Sequence, residues 1–279
     1  MTPNGRVIFG HPEYWQQVHD AFPKFFEVAG RLTDSLNDLT VRAHPCPERY
    51  QRVILNLGIL TGISAFELIT LAGNGFDLGA LKIARTVMET AVNAEYLRQF
   101  PAECDLYLKW HWVEQHKLLS YIRQEAPELL PELTAEEIAR VDKEFAAVRA
   151  DFEDANHKLR GSWCKHNLGT RAAKTDFAKL YKVLNPMSSE LIHGTFGGLA
   201  RHFDMAEDEH RIEIPPSMEH CAQALFAAHT CVVKMVETLS NTFGWVPCNP
   251  IEKLVEDFYY VWGAPLQEAK REVPVPPAA

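Results

Sequence analysis

Ionisable side chains interrupt the apolar face of a helix that the sequence predicts from Asp77 to about Phe100. At about 100° per residue, Arg85, Glu89 and Tyr96 fall on the same stripe as its leucines and valine. On the preceding helix, Glu67 falls on a stripe of leucine and isoleucine side chains. A buried charge without a partner costs several kcal/mol, so these groups are expected to pair with one another. Two interpretations stay open: a buried Glu67–Arg85–Glu89 network that fixes helix register, or the polar floor of a pocket.

A second polar cluster lies a hundred residues further on. Ser189, Glu190 and His193 occur within five residues, and glycines follow at 194, 197 and 198. Glu190 and His193 are spaced i,i+3 and therefore share a helix face. A histidine beside glycines can transfer protons near neutral pH, or it can be a packed histidine bonded to a neighbouring helix. The candidate catalytic residues are therefore His193, Arg85 and Glu89, and the candidate ligand-binding residues are Glu67, Tyr96, Ser189 and Glu190.

The spacing Glu-x-x-His also suggests a metal alternative. Carboxylate-bridged two-metal bundles use two single glutamates and two Glu-x-x-His pairs. Glu67, Glu89, Glu190 and His193 would supply part of such a set, but a second pair in the right order is missing. Arg85 would also compete with a cation for the carboxylates. The sequence indicates no particular cofactor.

Helical periodicity dominates the chain, which predicts an all-α, single-domain multi-helix bundle. Its centre is predicted to be an antiparallel hairpin of two helices joined at Gly73-Asn74-Gly75. Thr134 and Glu137 fit a capping box that opens a helix to about Lys158. Pro23 and Pro186 are expected to break helices, and Pro47 suits the first turn of the second helix. Asp77 can cap the helix that it begins, and a last helix is predicted from about Ile251 to Trp262. The predicted divisions are a helical region over 1–46, the main bundle over 47–265 and a disordered proline-rich tail over 266–279.

Composition narrows the class of protein. The net charge is −9, from 37 acidic and 28 basic residues, so RNA is a less favoured partner than for a basic protein. The six cysteines form no Cys-x-x-Cys pair and are expected to be reduced thiols, mostly buried. No secretory signal or membrane span is predicted, which favours a cytoplasmic protein. A homodimer through the glycines at 194–198 is allowed but not required.

Two short segments resemble a bacterial helical family known as domain of unknown function 5677. They are residues 79–97, which include Arg85 and Glu89, and residues 181–194, preceded by Gly161-Ser162-Trp163. That family is in turn similar to the HEPN superfamily of helical bundles, which includes ribonucleases whose catalytic motif is an arginine followed, after four to six intervening residues, by a histidine. His193 matches the histidine, but the arginine positions hold Pro186, Met187 and Ser188.

The sequence therefore supports three hypotheses. The first is a binding or regulatory module with a polar central pocket, in bacterial stress or defence. The second, implied by the resemblance, is an RNA-cleaving enzyme that uses His193 as general acid or base. The third is the carboxylate-bound two-metal protein. The substrate, the partners and the enzymatic status are not specified by these residues.

Overall fold

The computed structural model describes residues 12–41, 46–192 and 218–263. Within these ranges every regular element is a helix, and the one β contact is an isolated bridge between Glu153 and Leu159. The prediction of an all-α multi-helix fold is confirmed. The chain forms two compact units, one made of the residues up to Arg98 and from Leu168 onward, the other of Gln99–Asn167. The predicted boundaries at residues 46 and 265 stay a prediction.

The first unit contains most of the helices. They are α1 (Pro12–Ala21), α2 (Pro23–Val41), α3 (Arg49–Gly73), α4 (Asp77–Gln99), α7 (Leu168–Lys174), α8 (Ala178–Ile192), α9 (Cys221–Phe243) and α10 (Ile251–Trp262). The second unit contains α5 (Cys104–Glu125) and α6 (Ala135–Val148), with short 3₁₀ turns at Pro101–Glu103, Pro127–Glu132 and Arg149–Phe152.

The predicted hairpin of α3 and α4 is confirmed. α3 ends at Gly73, and Gly75 takes a left-handed conformation with φ +74° that a side chain would disfavour. The two helices contact through buried hydroxyls, since Thr61 Oγ1 lies 3.0 Å from Thr90 Oγ1. The start of α3 differs from the expected one: Glu48 is the N-cap and forms a capping box with Gln51, so Pro47 precedes the helix.

Small residues determine which sides of α3 are buried. A Cβ added at Gly58 would lie 3.0 Å from Leu239 Cδ1, and one at Gly62 would lie 3.2 Å from Leu36 Cδ2. α9 and α2 therefore approach the α3 backbone closely. α3 is long and apolar enough to cross a membrane, but 44% of its most apolar stretch is buried inside the protein. These contacts pack α3 into the core of the first unit.

Two helical glycines give opposite expectations for substitution by alanine. Gly30 is exposed on α2 and no atom lies within 4 Å of an added Cβ, so Gly30→Ala should stabilise the fold by about 0.5–1 kcal/mol. Gly58→Ala should instead lower stability by about 1 kcal/mol, because the new methyl group presses on the fully buried Leu239. Urea denaturation followed by circular dichroism measures both, and an equal gain in the two variants would contradict the close packing.

Several helix boundaries differ from expectation. The break at Pro23 is confirmed, but Pro186 does not interrupt a helix: α8 passes through it without a break from Ala178. A proline removes one backbone hydrogen bond, and the remaining backbone hydrogen bonds keep α8 continuous. α6 ends at Val148, ten residues before Lys158, and the capping box of Thr134 and Glu137 is confirmed. α7 lies in a segment that was not predicted to be regular.

An ion pair joins α10 to α2 within the first unit. Arg31 on α2 donates to both carboxylate oxygens of Asp257, at 2.8 and 2.9 Å, and Lys253 Nζ lies 3.2 Å from the same group. Burial alone would raise the pKa of Asp257, but the hydrogen bonds from Arg31 and Lys253 outweigh it and hold that pKa below its ordinary value. α10 begins and ends as predicted, and left-handed Gly263 terminates it.

Candidate functional site

Arg85 is the centre of the polar cluster that the structure describes. Its Nε donates to Glu89 Oε1 at 2.8 Å, one turn further along α4. Its Nη1 donates to Ser189 Oγ at 2.7 Å, on α8. Two of the three guanidinium nitrogens are therefore held by protein groups, which fixes the plane of the guanidinium. We call Arg85, Glu89 and Ser189 the Arg85 cluster.

The Arg85 cluster is accessible to a ligand. The side chain of Arg85 is 25% exposed and that of Glu89 is 38% exposed. Nη2 of Arg85 takes part in no hydrogen bond among the described residues. A guanidinium with N–H groups left at Nη2 can donate hydrogen bonds to a phosphate or carboxylate oxygen in a more fixed geometry than an ammonium group can.

The structure describes only part of the second predicted cluster. Ser189 is joined to Arg85 as stated, and the backbone of Glu190 belongs to α8. The side chain of Glu190 and the whole of His193, with the glycines at 194, 197 and 198, lie outside the described residues. Ser189 precedes His193 by four residues in the chain. The grouping of Arg85 with His193 stays a prediction.

The expectation that Glu67 is buried beside Arg85 is wrong. Glu67 is exposed, and Arg85 bonds Glu89 and Ser189 instead. Its neighbours on the same stripe, Leu60 and Ile63, are exposed as well. Leucine and isoleucine lie around most of α3, so hydrophobicity could not identify the buried side. The small residues Gly58 and Thr61 mark that side correctly.

Tyr96 shares a stripe with Arg85 but has a different environment. It is among the largest fully buried side chains of the protein, whereas the polar end of the stripe, at Arg85 and Glu89, is partly exposed. The side chains on this stripe of α4 therefore change from partly exposed at Arg85 and Glu89 to fully buried at Tyr96. The predicted role of Tyr96 in ligand binding stays a prediction.

The described residues contain no group of three or more acidic, histidine or cysteine side chains close enough to hold a metal ion. Glu89 is engaged by Arg85, and Glu67 is exposed on α3. The predicted metal set also includes Glu190 and His193, whose side chains are not described. The part of the set that is described thus gives the metal hypothesis no geometric support.

Two buried polar residues on α4 and α9 were not predicted as important. The carboxylate of Asp77 accepts from the backbone N–H groups of Leu78, at 2.8 Å, and of His220, at 3.0 Å. A cap on α4 was expected, but the bond to His220 joins residues 143 positions apart. His229 is almost fully buried, and Trp262 Nε1 donates to its Nδ1 at 3.2 Å. Both residues stabilise helix contacts and lie outside the Arg85 cluster.

The cysteines are free thiols, and four of them are buried, as predicted: Cys104, Cys164, Cys221 and Cys231. Burial, together with the nearby Asp77 carboxylate, raises the pKa of Cys221 to about 12. Burial also raises the pKa of Cys231. A thiol with such a pKa is not a nucleophile at neutral pH, so neither residue is a catalytic candidate.

The fold and the site define an all-α protein with a partly exposed arginine cluster between two helices. Comparison with protein families identifies it further: the model of a family of unknown function (DUF5677) matches residues 64–211, more than half of the 279-residue chain. The chain belongs to this family. The matched region includes the Arg85 cluster, Glu190 and His193. Comparisons with curated proteins and with solved structures found no match.

Proposed function

We propose that the protein is a binding or regulatory module that takes a ligand carrying a phosphate or carboxylate group at the Arg85 cluster. The observation that supports this most is the bond from Arg85 Nη1 to Ser189 Oγ, because it holds a guanidinium between two helices with its Nη2 edge open. Such preorganisation lowers the entropic cost of binding. Glu190 and His193 are proposed to complete the site. The proposed setting is the cytoplasm of a bacterium, in a stress or defence response.

Binding is tested with two probes, inorganic phosphate and a short single-stranded RNA whose 2′-hydroxyls are all methylated. The second probe carries phosphates but cannot be cleaved through the 2′-oxygen. We expect wild-type protein to bind at least one probe in calorimetry. Arg85→Lys should weaken this binding about tenfold, because lysine keeps the positive charge but lacks the planar guanidinium that Glu89 and Ser189 hold in place.

Lys82→Ala provides the matched control. Lys82 is an exposed cation three residues before Arg85, and it has no bond to Ser189. Its removal should leave affinity within about twofold, since Lys82 lacks the bonds to Glu89 and Ser189 that hold the guanidinium of Arg85 in place. A loss in Lys82→Ala as large as that in Arg85→Lys would show that affinity does not depend on the held guanidinium. Absence of binding to both probes would refute the proposal.

RNA cleavage is the second candidate, and one contact favours it. Arg85 lies on α4, yet it bonds Ser189, four residues before His193. In this hypothesis Arg85, from another helix, takes the place of the arginine that is missing from the HEPN-type positions before the histidine. In this hypothesis His193 removes the proton of a ribose 2′-hydroxyl, and Arg85 stabilises the negative charge on the phosphoryl oxygens.

Cleavage is tested with unmethylated RNA of the same sequence as the binding probe. If the protein is a ribonuclease, wild-type protein should shorten this RNA, and His193→Ala should reduce the rate at least about 100-fold, as expected for loss of a general acid–base group. Intact RNA after prolonged incubation with wild-type protein would exclude this candidate. Binding of the methylated RNA without cleavage of the unmethylated RNA would support the binding module.

A further inference from the structure

α3 exposes a contiguous apolar surface on one side. Ile59, Leu60, Ile63 and Phe66 are 40%, 43%, 54% and 67% exposed, and they lie within eight residues of one another. We call these four side chains the α3 patch. Singly exposed apolar residues need no explanation, but a cluster on one helix face is typical of an interaction site.

The rest of α3 is already occupied by its own chain. α9 contacts it at Gly58, α2 contacts it at Gly62, and α4 contacts it at Thr61. The patch therefore forms an outward face of a helix that the core holds rigidly. A rigid helix with one uncovered apolar face is suited to packing against a second helix.

Charged residues lie on this face at both ends of the patch. Arg52 is exposed seven residues before Ile59, and Glu67 is exposed seven residues after Leu60. Nη1 of Arg52 donates to backbone oxygens at Cys46 and Pro47, whereas its Nε and Nη2 have no bond among the described residues. By helix geometry the two are about 22 Å apart along the axis, so they cannot pair within one chain. Glu67 has no hydrogen-bond or ion-pair partner among the described residues.

We propose that the α3 patch is the contact surface of a homodimer, in which α3 of one copy packs antiparallel on α3 of the other. A two-fold axis between Ile59 and Leu60 places Arg52 of each copy at the level of Glu67 of the other. The interface is then self-complementary in charge, as a two-fold contact requires. Ile59, Leu60 and Ile63 lie nearest its centre, and Phe66 lies toward its rim with Arg52 and Glu67.

This arrangement assigns Glu67 to association instead of ligand binding. A stable dimer usually buries about 800 Å² on each partner, and a single helix face supplies only part of that area. We therefore expect a reversible dimer whose population depends on protein concentration.

Sedimentation velocity of the full chain over a wide concentration range tests the proposal. Wild-type protein should approach twice the chain mass of 31.6 kDa at high concentration. Ile63→Glu should be monomeric, because it places a charge at the centre of the contact. Its circular dichroism should be unchanged, since Ile63 is exposed in the monomer. Leu118→Glu, an equally exposed leucine on α5, is the matched control and should still dimerise.

Charge reversal identifies the partner residues. Arg52→Glu or Glu67→Arg alone should weaken dimerisation about tenfold, because each places like charges together twice in a symmetric contact. The double variant should regain wild-type affinity, which a contact within one chain cannot produce across 22 Å. Failure of the double variant to regain affinity would refute the antiparallel arrangement. A wild-type monomer at every concentration would refute the dimer, as would binding to neutral lipid vesicles that Ile63→Glu abolishes.

Discussion

Asp77→Ala is expected to destabilise the first unit by about 3 kcal/mol, more than any exposed substitution in that unit, because hydrogen bonds to a charged group contribute about 1.5–3 kcal/mol each. Asp77 is buried at the start of α4, and one carboxylate accepts from two backbone N–H groups. One belongs to Leu78 of α4 and the other to His220, the N-cap residue of α9. Alanine would leave both amides without this acceptor.

A graded series separates this role from simple packing. Asp77→Asn keeps one carbonyl oxygen but turns an NH₂ group toward the second amide, so it should cost about half as much as alanine. Asp34→Ala removes an exposed carboxylate on α2 and should change stability by less than about 0.5 kcal/mol. Urea denaturation gives the three free energies of unfolding. If Asp77→Ala were as mild as Asp34→Ala, the carboxylate would not hold the two helices.

Local signals in the sequence predicted much of the fold. The Gly73-Asn74-Gly75 turn, the Thr134–Glu137 capping box and the bounds of α10 all follow from the residues at those positions. These features depend on neighbours within a few residues, which the sequence displays directly. The predicted break at Pro186 was wrong because the proline removes only one backbone hydrogen bond from a helix of fifteen residues.

The candidate site was predictable only in part. Arg85 and Glu89 are four residues apart on one helix, so their ion pair follows from helix geometry. Ser189 was a candidate on its own grounds, but its bond to Arg85 spans 104 residues and depends on how α4 and α8 pack. Glu67 was misplaced because the buried side of α3 is marked by small residues and not by the largest apolar ones. The small residues recur at helical spacing as well, so the period alone could not show which side of α3 is buried.

Acid is expected to destabilise the first unit in two steps, one for each of two buried groups near α10. Asp257 is responsible for the lower step. Its pKa in the folded protein lies below the ordinary value, so its contribution to stability is present above about pH 4 and is lost as the pH falls through the folded pKa. Asp257→Asn should remove this lower step.

His229 is responsible for the upper step. Burial lowers its pKa to about 4, although the nearby Asp257 carboxylate acts in the opposite direction. The neutral ring accepts from Trp262 at Nδ1, and it lies among the rings of Phe25 and Phe258. In the unfolded chain this histidine takes up a proton near pH 6.5, whereas in the folded protein it stays neutral until about pH 4. The free energy of unfolding therefore falls by about 2 kcal/mol between pH 7.5 and pH 5.

His229→Phe should flatten this part of the pH profile, because phenylalanine fits aromatic surroundings and does not titrate. Burial also lowers the pKa of His116, in the other compact unit, so a shallower slope should remain. Free energies of unfolding from urea titrations at half-unit pH steps measure each profile. An unchanged slope in His229→Phe would show that His229 takes up a proton as readily in the folded protein as in the unfolded chain, contrary to its buried position against Trp262.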